Sequence, residues 1–528
     1  MNPFAFPFIP TSPLPEQQNN QNIYQELQRL KYEIDNLKKR VEALERKPQN
    51  DYLEKEDGMH MIWTLFSVLF CWNKKIYGIL IKERMMKVAK LVYLKEDTYE
   101  NYLKKQKKSH FLQSYSWGEL SKQKKNLTPY YLGLIDEKKN ILGTALLLQK
   151  KLPMNYCYFY CPRGYVIDYE NEELVKEMTK EIIKFAKSKK AIFVKIDPDL
   201  IYKDYNYLEE EQKPPYDINR IFNLLKKLGY KHQGFTKNFE TMQPRYTFRI
   251  DLNQSIEDIE NHFSKTTKQR ITKAKKLNTY VEIGTEKDIK EFYHLMTLTE
   301  TRKDFVSYTE DYYSTLYDIF NGSENGKATL FLGKVDMDRT IKTLKDNLKQ
   351  VNNQISILPI DNLSKSAKNK LNELTKQKDN YTKEIKKFEE YKKQYGNNLT
   401  LSAHMIIEYA DKAWVLYAGN HNILTETYVN YYTYEEHIKY CKEKGIKVYD
   451  QFGTIGDLSK DNPRYGLHEF KKKFGGDYIE FLGEFDYVTN KLMYFIFKKL
   501  VPIYRNIIRK KSKKAIENEV KKNNWKRI

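Results

Sequence analysis

Apolar residues recur along this chain with two clear periods. Ile23, Leu27, Leu30, Ile34, Leu37, Val41 and Leu44 alternate between spacings of 4 and 3, with charged residues at most positions between them. That is the a/d seam of a short coiled coil. The spacing leaves open whether the partner is another chain or the helix packs on its own domain. Residues 128–150 instead alternate with period two, so they predict a strand, a turn over Asp136–Asn140 and a second strand. After CYFYCPRGYVIDY, an acidic-then-basic helix at 170–190 leads into the strand AIFVKIDPDL. The order returns later: a helix at 285–299, the strands ATLFLGKV, LSAHMIIEYA and KAWVLYAGN, a helix at 434–445, and the strand KVYDQFG. Two α/β units of similar plan predict a duplicated domain.

The second unit is interrupted. Ile341, Leu344, Leu348, Val351 and Ile355 mark one helix, and Ala367, Leu371, Leu374, Tyr381, Ile385, Phe388 and Tyr391 mark another. Pro359 in the connecting SILPIDN makes a turn, so residues 336–396 form an antiparallel helical arm. Its Lys-rich faces suit RNA or a partner protein, or make it a spacer. The expected divisions are a disordered Pro-, Asn- and Gln-rich 1–20, a coiled coil at 21–48, a segment at 49–87, domain 1 at 88–250, domain 2 at 251–335 and 397–490, the arm at 336–396 and a basic tail at 491–528. Within 49–87, GMHMIWTLFSVLFCWN carries no Lys, Arg, Asp or Glu. It is short for a spanning helix, and it suits a buried helix or an interfacial anchor.

Charge changes the picture. Against 70 acidic residues stand 92 Lys and Arg, a net +22. A polyanionic partner follows: nucleic acid, an anionic membrane surface or a phosphate-bearing substrate. The last 38 residues hold 13 Lys or Arg and two Glu, giving 13 − 2 = +11. The 4 cysteines form no CxxC pair and the 9 histidines do not cluster with them, so no zinc site and a reducing compartment are expected. No basic residue precedes Arg29, which argues against a secretory leader.

Seven segments in order, FLQSYSWGEL, YCPRGYVIDY, AIFVKIDPDL, TTKQRITKAKK, TETRKDF, WVLYAGN and FKKKFGG, resemble the FemABX aminoacyltransferases that build peptidoglycan cross-bridges. The resemblance spans about residues 90–490. It implies an α/β fold with mixed sheets: two tandem GNAT-like domains and an inserted antiparallel coiled-coil arm, here with an added N-terminal coiled coil. It implies transfer of an amino acid from aminoacyl-tRNA to the stem-peptide amine of lipid II or a UDP-linked muropeptide. Neither unit shows the Gly-rich turn that would cradle the pyrophosphate of coenzyme A, so no cofactor is expected beyond the tRNA co-substrate. The implied location is cytoplasmic, peripheral at the inner face of the cell membrane. A homo-oligomer through 21–48 is a further expectation.

The resemblance also implies a site. Asp197 lies near the acceptor amine, to orient it or take its proton; a turn cap before Pro198 is the alternative, and Asp199 is its neighbour. Lys471 lies at the catalytic centre to stabilise an oxyanion or the departing ribose oxygen, with Phe470 as a water-excluding wall. A Lys following Trp117 contacts the diphosphate; the strictly matching position is Ser121, with Lys122 one residue on. A second diphosphate cation is replaced by Tyr308, with Arg302 nearby. Arg163 and Gly164 line the acceptor cleft or make a structural turn, and Tyr417 and Gly419 of the second unit face the same cleft. Lys268, Arg270, Lys472 and Lys473 are expected as tRNA phosphate contacts or as solvated charge. Two other classes stay open: a noncatalytic tRNA- or membrane-binding scaffold, and aminoacyl transfer to a lipid or protein acceptor.

Overall fold

The computed structural model describes residues 89–500 apart from 304–307 and 359–363, the side chains of 301–303, and, further upstream, only Tyr32, Asn36 and Lys39. The coiled-coil seam at 21–48, the apolar segment within 49–87, the tail beyond 500 and the Arg302 side chain lie outside the described residues. All the strands and helices below belong to one unit, Met86–Ile528.

Among the described residues, eight strands precede residue 245: β1 (Lys90–Tyr93), β2 (Thr128–Ile135), β3 (Ile141–Lys151), β4 (Cys157–Cys161), β5 (Ala191–Ile196), β6 (Ile201–Tyr205), β7 (Glu211–Gln212) and β8 (Tyr230–His232). Eight follow: β9 (Tyr246–Asp251), β10 (Thr279–Gly284), β11 (Lys327–Asp336), β12 (Asn398–Tyr409), β13 (Lys412–Asn420), β14 (Val448–Asp450), β15 (Asp477–Phe481) and β16 (Phe485–Val488). They form two mixed sheets, β1-β2-β3-β4-β5-β16-β8 and β10-β11-β12-β13-β14-β9-β15-β6-β7. The predicted strand–turn–strand is β2–β3, with the Asp136 amide donating to the Asn140 carbonyl at 3.0 Å.

The division of domains at 250 needs correction. Strands β6, β7 and β9, from the first unit in sequence, pair into the second sheet, while β16, from the second, fills the first sheet between β5 and β8. A short strand carries no mark of which sheet it will join. Only the edges it finds decide that.

Helices cover both sheets because their apolar residues fall on one stripe. The helix Glu172–Ser188, N-capped by Asn171, buries Leu174, Val175, Met178, Ile182, Ile183 and Ala186 against the first sheet. A shared core joins the sheets, with Trp117, Leu146 and Tyr160 on one side and Phe292, Leu330, Met405 and Trp414 on the other. Between β11 and β12 runs a hairpin of two helices, Met337–Ser356 and Lys365–Tyr395. Ion pairs Lys345–Glu389, at 2.7 Å, and Lys392–Asp338 show that they run antiparallel. Ile341, Leu344, Ile385 and Phe388 join the hairpin base to Leu399, Leu401 and Val429 of the second sheet's flank.

Candidate active site

Sheet register assembles the site. Cys161, Ile196 and Phe485 stand in one row across β4, β5 and β16. The residues just beyond that row, Arg163, Asp197 and Glu484, therefore gather at one sheet end. The Arg163 amide donates to Asp197 Oδ1 at 2.8 Å and the Tyr160 hydroxyl to Oδ2 at 3.2 Å. The Asp199 amide donates back to the Arg163 carbonyl at 3.1 Å, so the two turns are tied together. This needs left-handed backbone: φ is +58° at Arg163 and +70° at Gly164. A Cβ on Gly164 would come within 2.8 Å of Pro198 Cα, so glycine is required for both reasons. Asp197 is buried, and burial pushes its carboxyl up to about 7, with Arg163 opposing and Glu484 reinforcing the shift. Those two donated hydrogen bonds leave it oriented yet able to hold a proton.

A second row, Trp414–Asp450–Arg249–Asp477, crosses β13, β14, β9 and β15. Arg249 spans the two halves of the site, with Nη2 3.2 Å from Asp199 and Nε 2.8 Å from Asp450. Burial would raise Asp199, but the Arg249 guanidinium wins and holds its carboxyl well below the usual range. Phe481 lies against both guanidiniums, 4.4 Å from Arg163 and 5.0 Å from Arg249. Asp197 and Asp199, two residues apart, thus differ sharply: one is poised near neutrality and the other is fixed as an anion.

Asp450 opens a turn in which φ is +52° at Phe452 and +21° at Gly453. The carbonyls of Gln451, Phe452 and Gly453 converge on Lys471 Nζ, those of Gln451 at 2.7 Å and Gly453 at 2.8 Å. Lys471 is buried on the helix Tyr465–Lys472, and burial lowers its ammonium to about 7, against the pull of Asp450. Its three donors are all engaged by backbone. Phe470 faces away from this knot and packs on Tyr431, Tyr434 and Phe474, with ring centroids at 4.8, 5.0 and 5.3 Å. Tyr431 also lines a cavity of about 370 Å³ with Arg270, Asn420, His421, Thr425 and Tyr428. The Arg270 guanidinium lies 5.2 Å from the Tyr428 ring and 4.9 Å from that of Tyr431, and donates to the Tyr431 hydroxyl.

The FemAB family model matches residues 94–501. The chain belongs to the FemAB family. It is 28% identical over 423 residues to a lipid II:glycine glycyltransferase of Staphylococcus aureus (strain USA300), covering 78% of this chain and 96% of that protein. The corresponding protein of strain MRSA252 is 29% identical over the same length. Among solved structures, the crystal structure of FemX superposes with a TM-score of 0.62 at 26% identity, covering 77% of this chain and 99% of that one. This FemAB protein is accordingly a transferase of acyl groups with a mixed α/β fold similar to that of FemX.

Other residues of the FemAB chain fall in different places. Lys122 is exposed and paired with Glu119 at 3.3 Å, because five residues on from Trp117 is the far side of the helix Tyr115–Lys125. Eight residues on, Lys125 returns to the Trp117 side. Its Nζ lies 4.0 Å from the Trp117 ring and 5.6 Å from both Tyr308 and Tyr312, and burial lowers it to about 7. Tyr417 joins this cluster, its hydroxyl 3.1 Å from that of Tyr312. Gly419 instead serves packing: a Cβ there would sit 2.7 Å from the Met296 amide of the helix Ile289–Lys303. Lys268 is exposed and donates to the Asn261 carbonyl at 3.2 Å. Lys472 pairs with Glu209, and the Lys473 carbonyl accepts from the Ser264 amide at 2.9 Å. Sequence reasoning missed Lys125, Arg249, Asp450 and Phe481. Only the apolar neighbours of Arg249 in YTFRID, which put it in a buried strand, signalled its importance. Among the described residues, no three His, Cys, Asp or Glu side chains gather as a metal site.

Proposed function

We propose that the protein moves an aminoacyl group from aminoacyl-tRNA to the stem-peptide amine of a lipid II-type peptidoglycan precursor. The observation that carries the reading is Asp197: a buried carboxyl poised near neutrality, aimed by two hydrogen bonds, in a fold whose relatives include a lipid II:glycine glycyltransferase. The acceptor amine attacks the ester carbonyl, so a C–N bond forms and the C–O bond to the ribose breaks. The amine's proton passes to Asp197 and ends on the departing ribose oxygen. Two GNAT-like halves, exchanging strands, would hold acceptor and donor on facing walls.

The half-buried Lys125, caged by Trp117, Tyr308 and Tyr312, takes the diphosphate role first expected of Lys122. A bound diphosphate would restore its full charge. The cavity beside Phe470, with Arg270 between two tyrosines, suits the phosphate and base of the donor's 3′ end. Lys268, Lys472 and Lys473 would extend that basic surface. Lys471 would serve first as a positioning residue, fixing the 451–453 turn and with it Asp450 and Arg249. To stabilise an oxyanion directly it would have to release one of its three carbonyls.

The test is a transfer assay with a full set of charged tRNAs and either lipid II or its nucleotide precursor, read by mass. Gain of an aminoacyl residue, lost in Asp197→Asn, is the expected result. No product with either acceptor, alongside tight salt-sensitive tRNA binding, would overturn the enzyme reading in favour of a scaffold. Product only with a phospholipid or a protein acceptor would move the acceptor class.

A further inference from the structure

After β16 the chain turns into a helix over 491–500. One face of this helix is already used. Tyr494 and Phe497 pack on Phe193 at ring separations of 5.3 and 5.2 Å, and Phe497 also meets Tyr158 at 5.3 Å. The Tyr494 hydroxyl donates to Asp486 at 2.6 Å, and Lys498 donates to the Gln233 side chain at 2.6 Å. The helix is thus fixed in rotation. What it turns outward is apolar: Leu492, Phe495, Ile496 and Leu500 are 65%, 57%, 38% and 57% exposed. Their spacing of three, one and four places them on one stripe. Lys491 and Lys499 flank or cross that stripe, with Lys499 Nζ 4.6 Å from the Phe495 ring.

We propose that this stripe docks the protein on an anionic lipid bilayer, with Leu492, Phe495, Ile496 and Leu500 entering the headgroup boundary and the lysines contacting lipid phosphates. An amphipathic helix with long basic side chains beside large apolar ones is the pattern of an interfacial binder. Charge complementarity favours this occupant over others. Residues 501–528, which follow it in sequence, add ten Lys or Arg against two Glu. A polybasic segment beside an apolar anchor gives the two signals that stable membrane attachment needs. RNA would use the cations and leave four apolar side chains in water. A second copy would bring two equally basic helices face to face, with like charges opposed across the two-fold.

The position of the helix suits a membrane-borne acceptor. Tyr158, on which it rests, and Tyr160, which donates to Asp197, are two apart on β4 and so share one face of the sheet. The docking surface itself does not depend on the proposed transfer reaction.

The experiment is flotation of the full chain with phosphatidylcholine vesicles and with phosphatidylcholine–phosphatidylglycerol vesicles, comparing the parent with a Leu492→Ser, Phe495→Ser double variant. Both positions are exposed and the tail charges stay intact, and melting temperature checks that the fold is kept. The expected result is binding to the anionic vesicles alone, with the variant's partition coefficient reduced about tenfold or more, a loss smaller than full burial of two such side chains would give. Equal partition of parent and variant would overturn the proposal, showing that the tail or the apolar 58–73 segment binds by itself. So would no binding by the parent, or a variant whose only change is a smaller mass in solution, which would make the stripe an interface between copies.

Discussion

Arg163 aims Asp197 with its backbone: the amide donates to Oδ1 at 2.8 Å, while the guanidinium, 4.4 Å over the Phe481 ring, only tempers the rise of the carboxyl. The carboxylate is therefore aimed by a left-handed turn that only Gly164 allows to close. Gly164→Ala should lower the transfer rate at least tenfold and cost on the order of 1–3 kcal/mol of stability, since a Cβ meets Pro198 and the backbone is strained. Steady-state kinetics with a denaturation curve measures both. Unchanged turnover would show that the turn does not aim the acid.

Asp197 should shape the pH dependence. As a proton acceptor with its carboxyl pushed up to about 7 by burial, it predicts a rise in kcat/KM through neutrality, absent in Asp197→Asn. Stability should move the other way. The folded state keeps this proton where the unfolded chain has lost it, so the contribution is full below the ordinary carboxyl value of 3.8 and is lost as pH rises through about 7. Denaturation midpoints of parent and Asp197→Asn, compared across pH 4–8, should diverge by that slope.

Lys471→Ala should damage the fold as well as the reaction. Three carbonyls lose their shared donor in a buried site, a loss on the order of 2–4 kcal/mol. An ammonium acting only on the transition state would instead lower kcat and leave the melting temperature alone. Because burial lowers this group to about 7, the folded state binds fewer protons than the unfolded one between about 7 and 10.5. Its linkage therefore favours folding increasingly as pH rises through that window.

Lys125 and Lys122 separate the acceptor contacts. Lys125→Met should raise KM for a diphosphate-linked acceptor about tenfold, whereas Lys122→Met, which removes only an exposed pair with Glu119, should leave it unchanged. The reverse result would return the diphosphate to Lys122.

Much of this was legible in the chain. The apolar run AIFVKI ended by Asp-Pro-Asp puts Asp197 at a strand end, and the two apolar stripes between 337 and 395 give the helical hairpin nearly to its observed bounds. The lysines were not legible as individuals. Lys471, Lys472 and Lys473 look alike in sequence, yet one is buried, one pairs with Glu209, and one contributes its carbonyl. Helix phase decides this, as it decides between Lys122 and Lys125. Arg249 escaped notice because its meaning lies in a row of strands drawn from distant parts of the chain.

The position of β16 between β5 and β8 also constrains how the molecule is made. Among the described residues strand β8 pairs only with β16, and β5 has a free edge until residues 485–488 arrive. A ribosome must therefore deliver some 250 further residues, including both helices of the hairpin, before the first sheet can close. Such long-range pairing is slow and leaves an exposed edge meanwhile. Nascent chains halted before residue 485 should be protease-sensitive at β8, and the two halves should recover native structure only when refolded together.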